Sequence, residues 1–148
     1  MITNEAQTKI ITIKEWGNKK DPTEYDYASK TIRIREDYFK QMSKFNPLTH
    51  HWIHHEFAHH MLAEKFGKEY IIKNSDRYPD NAIERFAYAY QFYYLMETQT
   101  CGTFDELCSM DPFFRHKKMY QSWLNYYWNN ANFIISEFNA NDKTIKFT

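Results

Sequence analysis

The segment between Asn46-Pro47 and Gly67 constrains the fold of this chain more than any other part of the sequence. Asparagine is a favoured helix N-cap, proline is favoured at the first helical position, and glycine often lies just beyond the last one. These signals predict one helix from about Pro47 to Phe66. Most of the histidines in the chain fall within this segment, so a search for functional chemistry begins there.

Residues 55–59 of the predicted helix read His-Glu-Phe-Ala-His, an H-E-x-x-H motif. Positions four apart lie about 40° apart around a helix axis, so His55 and His59 project from one face and can share a metal ion. Glu56 lies about 60° from the second histidine, close enough to reach a water beside the metal without being a ligand itself. The motif therefore predicts a Zn²⁺ site formed by His55 and His59, with Glu56 as the catalytic base.

The remaining histidines of the helix do not bracket a glutamate at the required spacing. We expect them to be surface groups or to support the site from behind the ligands. They are His50, His51, His54 and His60. The alternative interpretation of the whole cluster is a polar, solvated stretch of helix.

The type of the third protein ligand distinguishes the classes of zinc peptidase. The extended metzincin pattern requires glycine at 62 and histidine at 65, but the chain has Leu62 and Lys65, so that class is excluded. An acidic residue on the next helix is the alternative. That helix is predicted to begin after residues 78–79, with Asp80 as its cap, and to end near Glu97. Asp80 and Glu84, four residues apart at its start, are both candidates.

Residues 55–62, His-Glu-Phe-Ala-His-His-Met-Leu, and residues 84–90, Glu-Arg-Phe-Ala-Tyr-Ala-Tyr, resemble the anthrax-lethal-factor-like and Pro-Pro endopeptidase group of gluzincin zinc metallopeptidases. The resemblance implies a zinc-dependent endopeptidase with Glu84 as the third ligand, and it implies that Tyr78 helps to stabilise the oxyanion. The substrate would be a peptide or a protein. The resemblance extends over residues 50–95, and Ala58 departs from it because the family motif commonly has glycine there.

A competing alignment concerns the third ligand. Residues 80–87 can also be aligned with the Glu-x-x-Ala-Asp-x-Phe-Ala pattern of other small gluzincins, which makes Asp80 the ligand and Glu84 its supporting partner. The longer side chain of Glu84 and the run Phe-Ala-Tyr-Ala-Tyr over residues 86–90 favour Glu84. Asp80 is therefore the runner-up.

The N-terminal part of the chain has β character. Residues 9–13 and 31–35 are rich in isoleucine and threonine, and they are expected to form a small antiparallel sheet. Residues 18–29 contain Asp21-Pro22 and are expected to form a loop. By analogy with other zincins, residues 31–35 are expected to offer an edge to which an extended peptide adds. A short helix is expected over residues 37–44.

The expected fold class is α+β and predominantly helical, with a small N-terminal antiparallel sheet packed on a zincin-type active-site helix and on further helices. The aromatic stretch over residues 113–138 is expected to supply one or two core helices. At 148 residues the chain is expected to form a single minimal zincin-like metallopeptidase domain over residues 1–148.

The charge balance and the cysteine content limit the partners. Nineteen basic residues balance 19 acidic ones, which argues against nucleic acid as a partner. Cys101 and Cys108 are expected to be free thiols.

The sequence has no signal peptide and no apolar run long enough to cross a membrane, so a cytoplasmic protein is expected. Signal-independent export or carriage by a phage particle would be compatible with the same features. The sequence leaves the oligomeric state open.

Two other functional interpretations remain open at this stage. The first is a catalytically silent zincin fold that acts as a binding or structural module, against which the intact H-E-x-x-H motif argues. The second is a latent enzyme held inactive by its own chain. A cysteine thiolate on the metal would be one form of such inhibition.

Overall fold

A computed structural model describes residues 9–13, 23–37, 51–76, 80–97 and 120–141. The strands are β1 (Lys9–Ile13), β2 (Thr23–Asp26) and β3 (Thr31–Arg35), and the helices are α1 (His51–Lys73), α2 (Ala82–Glu97), α3 (Tyr120–Asn129) and α4 (Ala131–Asn141). The predicted fold class is confirmed, because helices predominate and a small sheet forms near the N-terminus. None of the helices in these ranges is both long enough and apolar enough to cross a membrane.

The sheet has three strands in the order β1-β3-β2. The pair β2 and β3 is antiparallel, as expected of this sheet, but β1 runs parallel to β3, with Lys9 opposite Thr31 and Ile13 opposite Arg35. The prediction that residues 9–13 and 31–35 pair with each other in antiparallel fashion was therefore wrong. The reason is that β2 lies between β1 and β3 in the sequence and runs opposite to both of them, so β3 has the same direction as β1.

Strand β2 lies in the segment that was expected to be a loop. Its connection to β3 is a turn over residues 27–30, in which Asp26 accepts hydrogen bonds from the backbone N–H of Ala28 at 3.0 Å and from the hydroxyl of Ser29 at 2.8 Å. Such bonds from an aspartate to the residues that follow it stabilise tight turns. Because β3 is paired on both sides, the prediction that it presents an open edge to a peptide was also wrong.

Helix α1 lies between the sheet and helix α2. Ile53, Phe57 and Met61 are at most 2% exposed, and α1 packs against α2 and the sheet. The expected stop at Gly67 is a break in α-helical geometry, because this residue has φ 84° and ψ 172°. A further helical segment follows the break as far as Lys73. For the predicted short helix at residues 37–44, all but the first residue lies outside the described residues.

The aromatic C-terminal stretch forms two helices within its described part, α3 and α4. Trp123 and Tyr127 are buried, and Trp123 stacks on Tyr88 of α2 with ring centroids 3.7 Å apart. The prediction of core helices is confirmed for these residues. Trp128, in contrast, is 66% exposed and contributes little to the core.

Candidate metal centre

Three side chains from two helices converge at the contact between α1 and α2. Oε2 of Glu84 lies 3.3 Å from Nε2 of His55 and 3.2 Å from Nε2 of His59. All three residues are buried, and one ligand atom from each lies within 4.8 Å of the others. The structure thus brings together the two histidines of the H-E-x-x-H motif and the glutamate that follows them by 25 residues.

The start of α2 determines which acidic residue reaches this point. Asn81 caps the helix, because its side-chain oxygen accepts a 2.8 Å hydrogen bond from the backbone N–H of Glu84. The prediction that Asp80 is the cap was therefore wrong. Asp80 precedes the cap and instead contacts Arg85 at 2.8 Å and Ser122 at 2.9 Å. Because Asp80 lies outside the helix, the expectation that it shares a helical face with Glu84 does not hold.

The donor set fits a zinc ion. Oε2 of Glu84 is buried and accepts no hydrogen bond from any described residue, although two imidazole nitrogens lie close to it. Zinc binds imidazole nitrogen and carboxylate oxygen at about 2.0–2.2 Å, so two ligands of a tetrahedral ion lie roughly 3.4 Å apart. The observed separations of 3.2 and 3.3 Å are close to that value. Two imidazoles and one carboxylate are also a ligand set that catalytic zinc uses.

Electrostatic coupling links these three groups in the metal-free protein. Burial alone would raise the pKa of Glu84, but the charge of His59 and the contacts with His55 outweigh burial and hold this pKa well below its usual range. Burial would likewise lower the pKa of His59, but the charge of Glu84 and the contact with it raise this pKa overall. The glutamate is therefore ionised and available as a ligand at neutral pH.

Glu56 lies beside the two histidines and Glu84, and its side chain is hydrogen-bonded to the sheet. Its Oε2 accepts a 2.8 Å hydrogen bond from the hydroxyl of Thr23, and the side chain is buried. Burial raises the pKa of the Glu56 carboxyl, and the charge of Glu84 acts in the same direction. The charges of both histidines and the bond from Thr23 oppose this rise without cancelling it. A buried carboxyl with a raised pKa is a stronger base than an exposed one, which suits proton transfer near neutral pH.

Sequence reasoning missed the hydrogen bonds between the N-terminal hairpin and α1, two of which reach proposed site residues. Thr23, Tyr25 and Tyr27 lie two residues apart, so they project from one side of the extended chain. Each of them makes a hydrogen bond to a side chain of α1, at distances of 2.8, 2.6 and 2.6 Å. In that order, the partners are Glu56, His60 and His59. The alternation of these β-favouring residues was the sequence signal for a strand, but the preceding Asp21-Pro22 favoured a loop.

Two further histidines are part of the interior. His54 is 2% exposed and stacks on Tyr94 with ring centroids 3.6 Å apart. His60 is fully buried and shares a 2.6 Å hydrogen bond with the hydroxyl of Tyr25. Of the two expected positions, the surface is therefore excluded for His54 and His60, and a supporting position behind the ligands stays a prediction. The side chains of His50 and His51, for which the same expectation was made, lie outside the described part of the structure.

Several predicted site features also lie outside the described residues. They are the oxyanion role of Tyr78 and the state of the two thiols, Cys101 and Cys108.

Comparison of the chain with protein-family models, with curated proteins and with solved structures found no match.

Proposed function

We propose that the chain is a zinc-dependent endopeptidase in which His55, His59 and Glu84 hold the metal and Glu56 is the general base. The observation that carries this proposal is the position of Oε2 of Glu84. It is buried, has no hydrogen bond from a described residue, and lies within 3.3 Å of Nε2 of both histidines. A buried carboxylate is costly unless a positive charge compensates it, and both a protonated histidine and a metal ion bound by all three groups can do so here.

When bound, Zn²⁺ would supply the Lewis acidity that polarises a peptide carbonyl and activates water at neutral pH. Glu56 would take a proton from that water and deliver it to the leaving amine. Its carboxyl is held in position by Thr23, and burial keeps its affinity for a proton above that of an exposed glutamate. Removing a positioned general base of this kind costs roughly 10²- to 10⁴-fold in rate.

The substrate class follows from the motif and from the gluzincin resemblance, both of which favour hydrolysis of peptide bonds. We propose a peptide or protein substrate and a role for Tyr78 in stabilising the oxyanion. A tyrosine hydroxyl in that role donates a hydrogen bond to the developing negative charge, and loss of one such donor costs about 10²- to 10³-fold in kcat.

The decisive experiment combines metal analysis with a cleavage assay. The protein is purified without chelator, its zinc content is determined by elemental mass spectrometry, and cleavage is assayed on a diverse peptide library. The variants are His55→Ala, His59→Ala, Glu84→Gln and Glu56→Gln. Asp80→Asn is the matched control, because it removes a carboxylate four residues from Glu84 that contacts Arg85 and Ser122 instead.

We expect about one zinc per chain in the wild type, lost in the histidine variants and in Glu84→Gln but kept in the Asp80→Asn control. We expect Glu56→Gln to keep zinc and to lose cleavage. Zinc without cleavage of any library member would instead support the binding-module alternative. A wild type that binds no zinc would overturn the proposal.

A further inference from the structure

Tyr27 makes the one hydrogen bond that the described residues offer to the outer nitrogen of a proposed metal ligand. Its hydroxyl lies 2.6 Å from Nδ1 of His59, and its ring packs edge-on against Tyr25 with centroids 4.9 Å apart. The turn that follows β2 begins at Tyr27, so the hydrogen-bonded hairpin determines where this hydroxyl lies. The position of the Tyr27 hydroxyl is therefore determined by the backbone of the hairpin and by the packing of the ring on Tyr25.

We infer that Tyr27 is a positioning residue that fixes the tautomer and the ring orientation of His59. The inference rests on the proposed zinc site. A neutral imidazole that offers the electron pair of Nε2 to a metal carries its proton on Nδ1. That N–H needs an acceptor, and the phenolic oxygen of Tyr27 is in place to be one. Groups in this position raise the basicity of the ligand, and their removal typically costs 10- to 100-fold in metal affinity.

The second histidine is held differently. Nδ1 of His55 is buried and has no hydrogen-bond partner among the described residues, while its ring packs on Tyr88 with centroids 4.3 Å apart. Within the described part of the chain, His59 is thus oriented by a hydrogen bond and His55 by ring packing. Among the described residues, Tyr27 is therefore the one whose hydrogen bond can fix the tautomer of a proposed metal ligand, His59.

A matched pair of variants tests this inference. Tyr27→Phe removes the hydroxyl that faces His59. Tyr25→Phe removes a neighbouring hydroxyl on the same side of the strand, at the same 2.6 Å distance, but from His60, which is not a proposed ligand. The affinity for Zn²⁺ is measured by competition with a chromophoric chelator at fixed pH, and the thermal stability of both metal-free variants is measured in parallel.

We expect the Kd for Zn²⁺ to rise roughly 10- to 100-fold in Tyr27→Phe and to stay within about threefold of the wild type in Tyr25→Phe. Equal affinities for the wild type and Tyr27→Phe would overturn the inference and leave the zinc site intact. Absence of zinc binding by the wild type would instead overturn the proposed function.

A second measurement uses the unmodified protein, so it does not depend on how well the variants fold. Two-bond ¹H–¹⁵N correlation spectra of the zinc-loaded wild type report which nitrogen of each imidazole carries the proton. We expect His59 to be protonated at Nδ1, with an N–H signal that exchanges slowly with water because it is hydrogen-bonded. A zinc-loaded protein in which His59 carries its proton on Nε2 would contradict the assignment.

Discussion

The hydroxyl of Thr23 donates a 2.8 Å hydrogen bond to Oε2 of Glu56 across the contact between β2 and α1. Both residues are buried, so water does not readily replace this bond. The relationship ties the proposed general base to the N-terminal sheet, and the sheet thereby becomes part of the proposed site.

Replacing Thr23 with valine keeps the shape of the side chain but removes the donor. A hydrogen bond to a charged group contributes about 1.5–3 kcal/mol, which corresponds to a loss in kcat/KM of roughly ten- to a hundredfold. The bond also lowers the pKa of Glu56, so its loss should move the acidic limb of the kcat/KM profile to higher pH. Thr23→Ser retains a hydroxyl and should restore both. An acidic limb that does not move in Thr23→Val would contradict this role.

The cap of α2 should control both stability and the metal site. Asn81→Ala removes the acceptor for the backbone N–H of Glu84, and loss of an N-cap costs about 0.5–2 kcal/mol. Urea unfolding of the metal-free protein measures this loss. Because the first turn of α2 carries Glu84, the affinity for zinc should fall as well. Asn81→Asp is the control, since aspartate caps as well as asparagine does and should retain both properties.

The chain's own pattern predicted the parts of the fold that depend on local chemistry. The break of α1 follows from Gly67, and the motif follows from residue spacing within one helix. The predicted start at Asn46-Pro47 lies outside the described residues. The direction of β1 relative to β3 could not be predicted in the same way. It depends on how residues far apart in sequence pair, and a short strand rich in isoleucine is compatible with either direction.

The choice between Asp80 and Glu84 shows a similar limit. The sequence-based prediction placed both residues on one face of the helix because it took Asp80 as the helix cap. The structure starts the helix one residue after Asn81, which leaves Asp80 outside the helical repeat and in contact with Arg85. A shift of one residue in the helix cap is within the usual error of a sequence-based boundary, and here it leaves Asp80 outside the helix.

The break in α1 gives a prediction that concerns the backbone alone. Gly67 has φ 84° and ψ 172°, a conformation that is essentially restricted to glycine. An added Cβ would meet nothing within 4 Å, so steric clashes with neighbours do not contribute. Gly67→Ala should therefore lower the free energy of unfolding by about 1–3 kcal/mol through strain. Lys68→Ala, at the next exposed position, is the control and should change it little. Equal stability of the two variants in urea would contradict the assigned backbone strain.

The coupling between Glu84 and His59 gives the metal-free protein a defined pH dependence. The folded pKa of Glu84 lies below its ordinary value of 4.5, so its contribution is fully present above that pH and is lost as the pH falls. The folded pKa of His59 lies above its ordinary value of 6.5, so its contribution is present below that pH and is lost as the pH rises through the folded value. The pair therefore stabilises the fold most between pH 4.5 and 6.5.

The measurement is the difference in unfolding free energy between the wild type and Glu84→Gln, both in excess chelator. Glutamine keeps the size of the side chain but cannot ionise, so it removes the charge that raises the pKa of His59. We expect the difference to be largest near pH 5.5 and to decrease both towards pH 3.5 and towards pH 8.5, as linkage requires for one lowered and one raised pKa. A difference that stays constant over this range would mean that the two groups are not coupled in the folded protein. The convergence of Glu84 on the two histidines would then need another explanation.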